Sequence, residues 1–263
     1  LKAYEIITDS SKEINLHLLI ECYRSLAADR DHITYDYGDK IDSFIGLELD
    51  YIESKISEID QNQTTPFQSP EKLGGGTAYM AVKDKDGNAV SLIQSNFYGI
   101  GSTIGVSDYG FFLHNRGAGF NLIENHPNRI SPLKKPLHTL SPTIWSKDGK
   151  LDMVIGTRGG RYQPQLLTQF ILPLLLQTSS VETAMNQSRW TIDYFEENTE
   201  SHLITEPGIE EETIKDLKEK GHKITTKDSL QSSFGPISAI CKDINGSWIG
   251  VADPRVKTSK AID

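Results

Sequence analysis

Cysteine is scarce in this chain of 263 residues, which has two, Cys22 and Cys241. Two thiols so far apart in sequence cannot build a disulfide scaffold or a four-cysteine zinc site. Long apolar runs are missing too. The longest, Phe170–Leu176, is seven residues interrupted by Pro173, against the roughly 20 that a bilayer-spanning helix needs. Basic residues are in deficit, 27 Lys and Arg against 36 Asp and Glu for a net charge of −9. That balance argues against a nucleic-acid partner, because phosphate affinity rests on Lys and Arg. The seven histidines include no i, i+4 pair of the zinc-protease kind, and no Cys-x-x-Cys occurs. Gly-x-Ser-x-Gly, the P-loop and Gly-x-Gly-x-x-Gly are also absent. Leu1 is not an initiator Met, and Lys2-Ala3-Tyr4 is neither a charged signal head nor an apolar segment. This start predicts a chain beginning inside a longer gene product. Nothing in it fixes a compartment, cytoplasmic or secreted.

Turning to what is there, Leu16, Leu19, Ile20, Tyr23, Leu26 and Ala27 share one helical face and predict a helix over Asn15–Arg30. Ser10 and Glu13 have capping-box spacing before it. A second helix is predicted over Ser43–Ile59. Gln61–Gly76, rich in Gln, Thr, Pro and Gly, has no periodicity and reads as a linker. Beyond it, Thr77–Val82 and Ala89–Asn96 read as strands joined by the turn Asp84-Lys85-Asp86-Gly87-Asn88. Short buried strands are predicted at Phe111–Leu113 and Met153–Ile155, and a buried helix over Pro164–Leu176. A charged surface helix, Glu210–Lys220, closes at Gly221. Strands at His222–Thr226, Ile237–Lys242 and Trp248–Val251 complete an α+β pattern. Cys22 and Cys241 read as reduced core residues.

One threonine sits in an unusual place. Thr77 follows Gly74-Gly75-Gly76 and opens a strand. A structural reading is that glycines end a loop and a β-branched residue begins a strand. A chemical reading is self-cleavage between Gly76 and Thr77. A Thr hydroxyl needs an adjacent base, and a freed α-amino group, with a reference pKa near 7.7–8.0, is such a base. Gly156-Thr157-Arg158-Gly159-Gly160 follows a short apolar strand and precedes a helix. It is either a plain strand-to-helix turn or a pair of exposed N–H groups able to hold an oxyanion.

Together these motifs resemble the gamma-glutamyltranspeptidase family of N-terminal nucleophile hydrolases. His17-Leu18-Leu19-Ile20-Glu21 with Ala28-Asp29-Arg30 is similar to a helix near the end of the family's large subunit. Gly76-Thr77-Ala78-Tyr79 and Asp86-Gly87-Asn88-Ala89-Val90-Ser91 resemble its processing site and the first hairpin of the small subunit. Gly110–Asn115, Pro136–Thr143, Gly159-Gly160 and Ala252-Asp253-Pro254-Arg255 follow in the family's order.

The resemblance implies a four-layer αββα sandwich, with residues 1–76 the end of the large subunit and 77–263 the small, catalytic one. It implies that Thr77 is nucleophile for self-cleavage and for attack on a gamma-glutamyl amide. Ser95 would hydrogen-bond the nucleophile, and Gly159 and Gly160 would form the oxyanion hole. Asn115, Arg116, His138 and Thr139 would line the donor pocket. It implies no cofactor or metal, a small-molecule amide substrate and an upstream large-subunit half as partner; a homo-oligomer stays open. Departures from the family pattern are equally plain. The family's aspartate for the donor ammonium falls on Gly119, Arg116 adds positive charge, and His138 and Thr139 replace two serines. These changes resemble the acylase subgroup, so a glutaryl or cephalosporin-type acylase is the first alternative. An unprocessed relative serving as a binding or scaffold protein is the second.

Overall fold

The computed structural model describes residues 13–27, 29–38, 45–67, 76–193 and 201–262. Ser10, Ala28, Gly74 and Gly75 lie outside them. Three layers carry the central part of the molecule. In the middle is a four-stranded antiparallel sheet, in the order β11 (Trp248–Ala252), β10 (Ile237–Lys242), β6 (Lys150–Thr157) and β5 (Thr143–Lys147). Helix α4 (Gln163–Leu175) and the short α5 (Val181–Asn186) cover one face. Their Leu167, Phe170, Ile171, Ala184 and Met185 bury against Met153, Ile155, Ile237, Ala239 and Cys241. Each fully buried Leu, Ile or Phe contributes about 1.5–3 kcal/mol, so this apolar seam holds helix to sheet. Pro164 sits in the first turn of α4, where no intrahelical donor is lost.

The other face of the sheet is covered by the hairpin β1 (Gly76–Lys83) and β2 (Ala89–Phe97). Strand alternation divides the hairpin's side chains. Thr77, Tyr79 and Ala81 face inward, while Met80, Val82, Val90 and Leu92 are left exposed. The Tyr79 ring lies on Gly156 of β6, where an added Cβ would come within 2.2 Å of it. At the hairpin's far end the Lys83 ammonium lies 4.7 Å from the Trp248 ring. These two contacts fix the hairpin's direction and bring Thr77 to the end of β6 from which Gly159 and Gly160 emerge.

A second core joins the two sides of Gly76. Helix α1 (Leu16–Ala27) packs Leu18, Leu19, Ile20 and Ala27 against Trp190, Ile192, Leu203 and Leu217, with Phe67 among them. Trp190 and Ile192 come from β7 (Trp190–Asp193), which pairs with β8 (His202–Thr205). β8 runs parallel to β9 (Lys223–Thr226) through helix α6 (Glu211–Glu219). One β-α-β unit is therefore present, while the other paired strands among the described residues run antiparallel.

Several expectations change. A short helix α2 spans Arg30–Ile33, and the segment predicted as a helix from Ser43 is, among described residues, a 3-10 turn at Ile45–Leu47 and helix α3 (Leu49–Ser57). Phe111–Phe112 forms a strand (β4) paired with the two-residue β3 (Gly105–Val106), but its side chains are exposed among the described residues. Residues 61–67 have no regular structure yet are firmly held. Thr65 donates from its N–H and its hydroxyl to the buried Glu21 carboxylate at 2.9 and 2.6 Å. Arg24 donates to the Thr65 carbonyl at 2.6 Å and lies over the Phe67 ring. Cys241 is fully buried and Cys22 partly so; both are free thiols, with burial pushing the pKa of Cys22 up to about 11 and of Cys241 to about 12.

Candidate active site

The Gly76–Thr77 bond lies at an irregularity of the hairpin. Gly76 pairs with Phe97 and Thr77 with Ser95, so Asn96 is the extra residue of a β-bulge. Phe97 takes a left-handed conformation there, φ 79°. The Ser95 hydroxyl donates to the Gly76 carbonyl oxygen at 2.8 Å and accepts from the Phe97 N–H at 3.0 Å. The resemblance implied that Ser95 hydrogen-bonds the nucleophile; in the structure its hydroxyl meets the carbonyl that precedes Thr77. Gly76 is required on steric grounds, since a Cβ would lie 2.9 Å from the Gly99 carbonyl oxygen.

Gly159 (φ 127°) and Gly160 (φ 55°) both use backbone conformations that L side chains rarely adopt. They close a turn in which the Tyr162 N–H donates to the Gly159 carbonyl at 2.9 Å, immediately before α4. Gly235 presses against this turn: an added Cβ would meet the Arg158 carbonyl oxygen at 2.1 Å and Thr157 Oγ1 at 2.6 Å. Behind Gly235 lies a fully buried charge network. Arg189 pairs with Asp253 at 2.6 Å, and Arg255 pairs with Asp253 and Glu206. Arg189 also donates to the carbonyls of Phe234 and Gly235, at 3.1 and 2.8 Å. Asp253 and Arg255 were legible as a structural pair. Arg189 and Glu206 were not, because 49 residues separate Glu206 from Arg255.

The loop predicted to face the substrate joins these parts. The Ser141 N–H donates to Gln163 Oε1 at 3.1 Å, one residue beyond the Gly160–Tyr162 turn. Thr139, buried, lies 3.4 Å from Arg116 Nη1. His138 is exposed, and its imidazole is held below its ordinary pKa, first by partial desolvation and then by the Arg116 cation. Asn115 stands beside Arg116, but its side-chain amide is fully engaged with the backbone of Tyr98 and Gly101. Contacts thus link Ser95 to Gly76, Gly76 across the hairpin to Phe97, Phe97 to Arg116 and Arg116 to Thr139, while Gly159 and Gly160 follow the end of β6.

His17, Glu21 and His222 form a separate buried cluster of metal-ligand types. Several of their atoms already meet other groups. His17 Nδ1 lies 2.8 Å from His222 Nε2, His17 Nε2 lies 2.9 Å from the Asp60 carbonyl, and Glu21 is paired with Arg24 at 2.8 Å. A cation there would have to compete with Arg24 for the Glu21 carboxylate.

Solved structures share this fold. A cephalosporin acylase from Bacillus halodurans aligns with a TM-score of 0.78 over 94% of this chain and 45% of that one, at 26% identity. A Helicobacter pylori gamma-glutamyltranspeptidase mutant aligns at 0.56 over 68% of this chain and 99% of that one, at 26% identity. The class is therefore that of the transpeptidases and related acylases. The family model described as gamma-glutamyltranspeptidase matches residues 1–262, and the chain belongs to that family. Among curated relatives, a glutathione hydrolase-like proenzyme of Bacillus subtilis is 34% identical over 91% of this chain and 45% of its own length. An oxamate amidohydrolase proenzyme of Klebsiella pneumoniae is 30% identical over 95% and 47%. The chain spans about half the length of these relatives.

Proposed function

We propose that this chain is the catalytic part of an enzyme that cuts itself between Gly76 and Thr77 and then cleaves gamma-glutamyl or related acyl amides. The observation that carries this reading is the Ser95 hydroxyl on the Gly76 carbonyl, at a bulge that opens with a threonine. In self-cleavage Thr77 Oγ attacks the Gly76 carbonyl carbon. An ester forms as the C–N bond breaks and the proton passes to the freed Thr77 amine. Water then hydrolyses the ester and releases the Gly76 carboxylate. Polarising that carbonyl is the part Ser95 plays.

In turnover the free α-amino group takes the Thr77 hydroxyl proton while Oγ attacks the substrate amide. The N–H groups of Gly159 and Gly160 receive the developing oxyanion. The C–N bond breaks, the proton leaves with the amine, and water or an acceptor amine takes the acyl group from Thr77. Two curated relatives carry the word proenzyme in their names, which accords with maturation by cleavage.

The upstream half would supply the outer helical layer of a four-layer αββα sandwich. It would cover the exposed Met80, Val82, Val90 and Leu92 of the hairpin, a patch of the kind that marks an interface. Intact mass and N-terminal sequencing of the full-length protein test the reading. A fragment beginning Thr-Ala-Tyr-Met, lost in Thr77→Ala, is expected. A full-length protein that stays uncut with its fold intact overturns it and favours a scaffold role.

A further inference from the structure

Gln163 opens α4 and is fully buried. It directly follows the Gly160–Tyr162 turn, so its backbone continues the segment that holds Gly159 and Gly160. Its carboxamide is used at one end only. Oε1 accepts the Ser141 N–H at 3.1 Å, while Nε2 is buried with no partner among the described residues. Turning the amide over would not help, because a backbone N–H is met by the amide oxygen and not by its nitrogen.

A buried amide nitrogen without an acceptor carries a desolvation cost that an apolar side chain avoids. Met, of similar length, would fill the space of Gln163 without that cost. Packing alone therefore gives no reason for an amide at this position, whereas the bond to Ser141 does. That bond spans 22 residues of sequence and joins two elements with different tasks. The 136–141 loop carries His138 and Thr139, both beside Arg116, and the turn carries the two glycines. Thr143 of β5, just after that loop, is paired with Ile155 of β6, and its hydroxyl donates to the Ile155 carbonyl at 2.7 Å. Gln163 closes the ring beyond this strand pair.

We infer that Gln163 is a positioning residue for acyl transfer, its Oε1 clipping the substrate-facing loop to the oxyanion turn. The clip sets the distance between an acyl group held by the loop and the N–H groups of Gly159 and Gly160. The inference rests on turnover at Thr77 as proposed above. Such a distance matters more in the transition state than in substrate binding, since the donors must meet the oxyanion where it forms. Self-cleavage is spared, because the carbonyl attacked there already has the Ser95 hydroxyl.

The full-length protein is compared as wild type, Gln163→Met, Gln163→Glu and Gln169→Met, with gamma-glutamyl-p-nitroanilide and glutaryl-p-nitroanilide as donors. Gln169, also on α4, uses its amide to hold the Trp190 backbone and serves as the structural control. Gln163→Met should lower kcat on the order of 10- to 100-fold with KM changed less than about threefold, the pattern of misplaced transition-state donors. Cleavage at Gly76–Thr77 should keep the wild-type rate, and Gln169→Met should lower kcat far less. Gln163→Glu keeps an oxygen for the Ser141 N–H. Its kcat relative to wild type should rise as pH falls and the introduced carboxyl loses its charge. An equal fall in Gln169→Met, a parallel loss of self-cleavage in Gln163→Met, or Gln163→Glu no better than Gln163→Met at any pH overturns the inference. Hydrogen exchange reads the clip without chemistry: the Ser141 amide should exchange several-fold faster in Gln163→Met than in wild type. If neither anilide is turned over by wild type, the acyl-amide reading falls, and faster exchange still upholds the clip. Unchanged exchange sinks the clip itself.

Discussion

The hydroxyl of Ser95 and the carbonyl oxygen of Gly76 are 2.8 Å apart, donor to acceptor, across a β-bulge. A hydrogen bond to that oxygen grows stronger as negative charge develops on it, so it favours the tetrahedral state over the resting amide. Ser95→Ala in the full-length protein should slow cleavage at Gly76–Thr77 by on the order of 100-fold, the loss typical of one oxyanion donor. Ser95→Thr should retain most of the rate. A gel time course of the two fragments checks this, and an unaltered rate in Ser95→Ala would remove Ser95 from the reaction.

Gly235 bears on the other end of the site. Its φ of +51° and the 2.1 Å approach of an added Cβ to the Arg158 carbonyl leave no room for a side chain. Gly235→Ala should push the 234–236 loop off the Gly159–Gly160 turn, at a cost of about 1–3 kcal/mol. Loss of kcat beyond that of Gly246→Ala, another positive-φ glycine but with open space around it, is the expected outcome. Equal effects would mean that the contact does not position the turn.

The charge network should be intolerant of single deletions. Arg255 and Glu206 are fully buried, and Arg255 bonds Glu206, Asp253 and two backbone carbonyls. Arg255→Met leaves the Glu206 carboxylate buried and short of its cation, which should cost about 3–5 kcal/mol. Adding Glu206→Gln should return part of that loss. Denaturant unfolding measures both, and a double variant as unstable as the sum of the singles would contradict the coupling.

Acid should loosen the anchor between α1 and residues 60–67. His222 is buried, and its pKa is pushed down to about 3, first by burial and then by His17, Arg24 and Lys220, with Asp216 opposing. The unfolded imidazole, near 6.5, therefore binds a proton that the folded one refuses. Stability is complete above about pH 6.5 and falls as pH drops toward 3. His222→Gln should flatten this part of the stability profile relative to wild type. Parallel profiles would show that the slope comes from other groups.

Much of the fold was written in local pattern. The apolar stripes of Leu16–Ala27 and Leu166–Leu174 follow from helical spacing, and the strands either side of the Asp84–Asn88 turn from that turn's residues. The order of short motifs likewise marked Thr77, Gly159 and Gly160 and the family to which the chain belongs. Strands Trp190–Asp193 and His202–Thr205 escaped notice; each is four residues long, too short for a period to declare itself.

What the sequence could not decide was which distant groups meet. That Ser95 would face the Gly76 carbonyl depended on one extra residue at Asn96, which shifts the pairing register. That Arg116 would be buried over Phe97 with an unmatched nitrogen depended on how the 136–140 loop closes over Gly119. Composition and spacing set the elements and the candidate nucleophile, since those depend on neighbours along the chain. Register, burial and the pairing of charges were settled by tertiary packing, since they depend on neighbours across it.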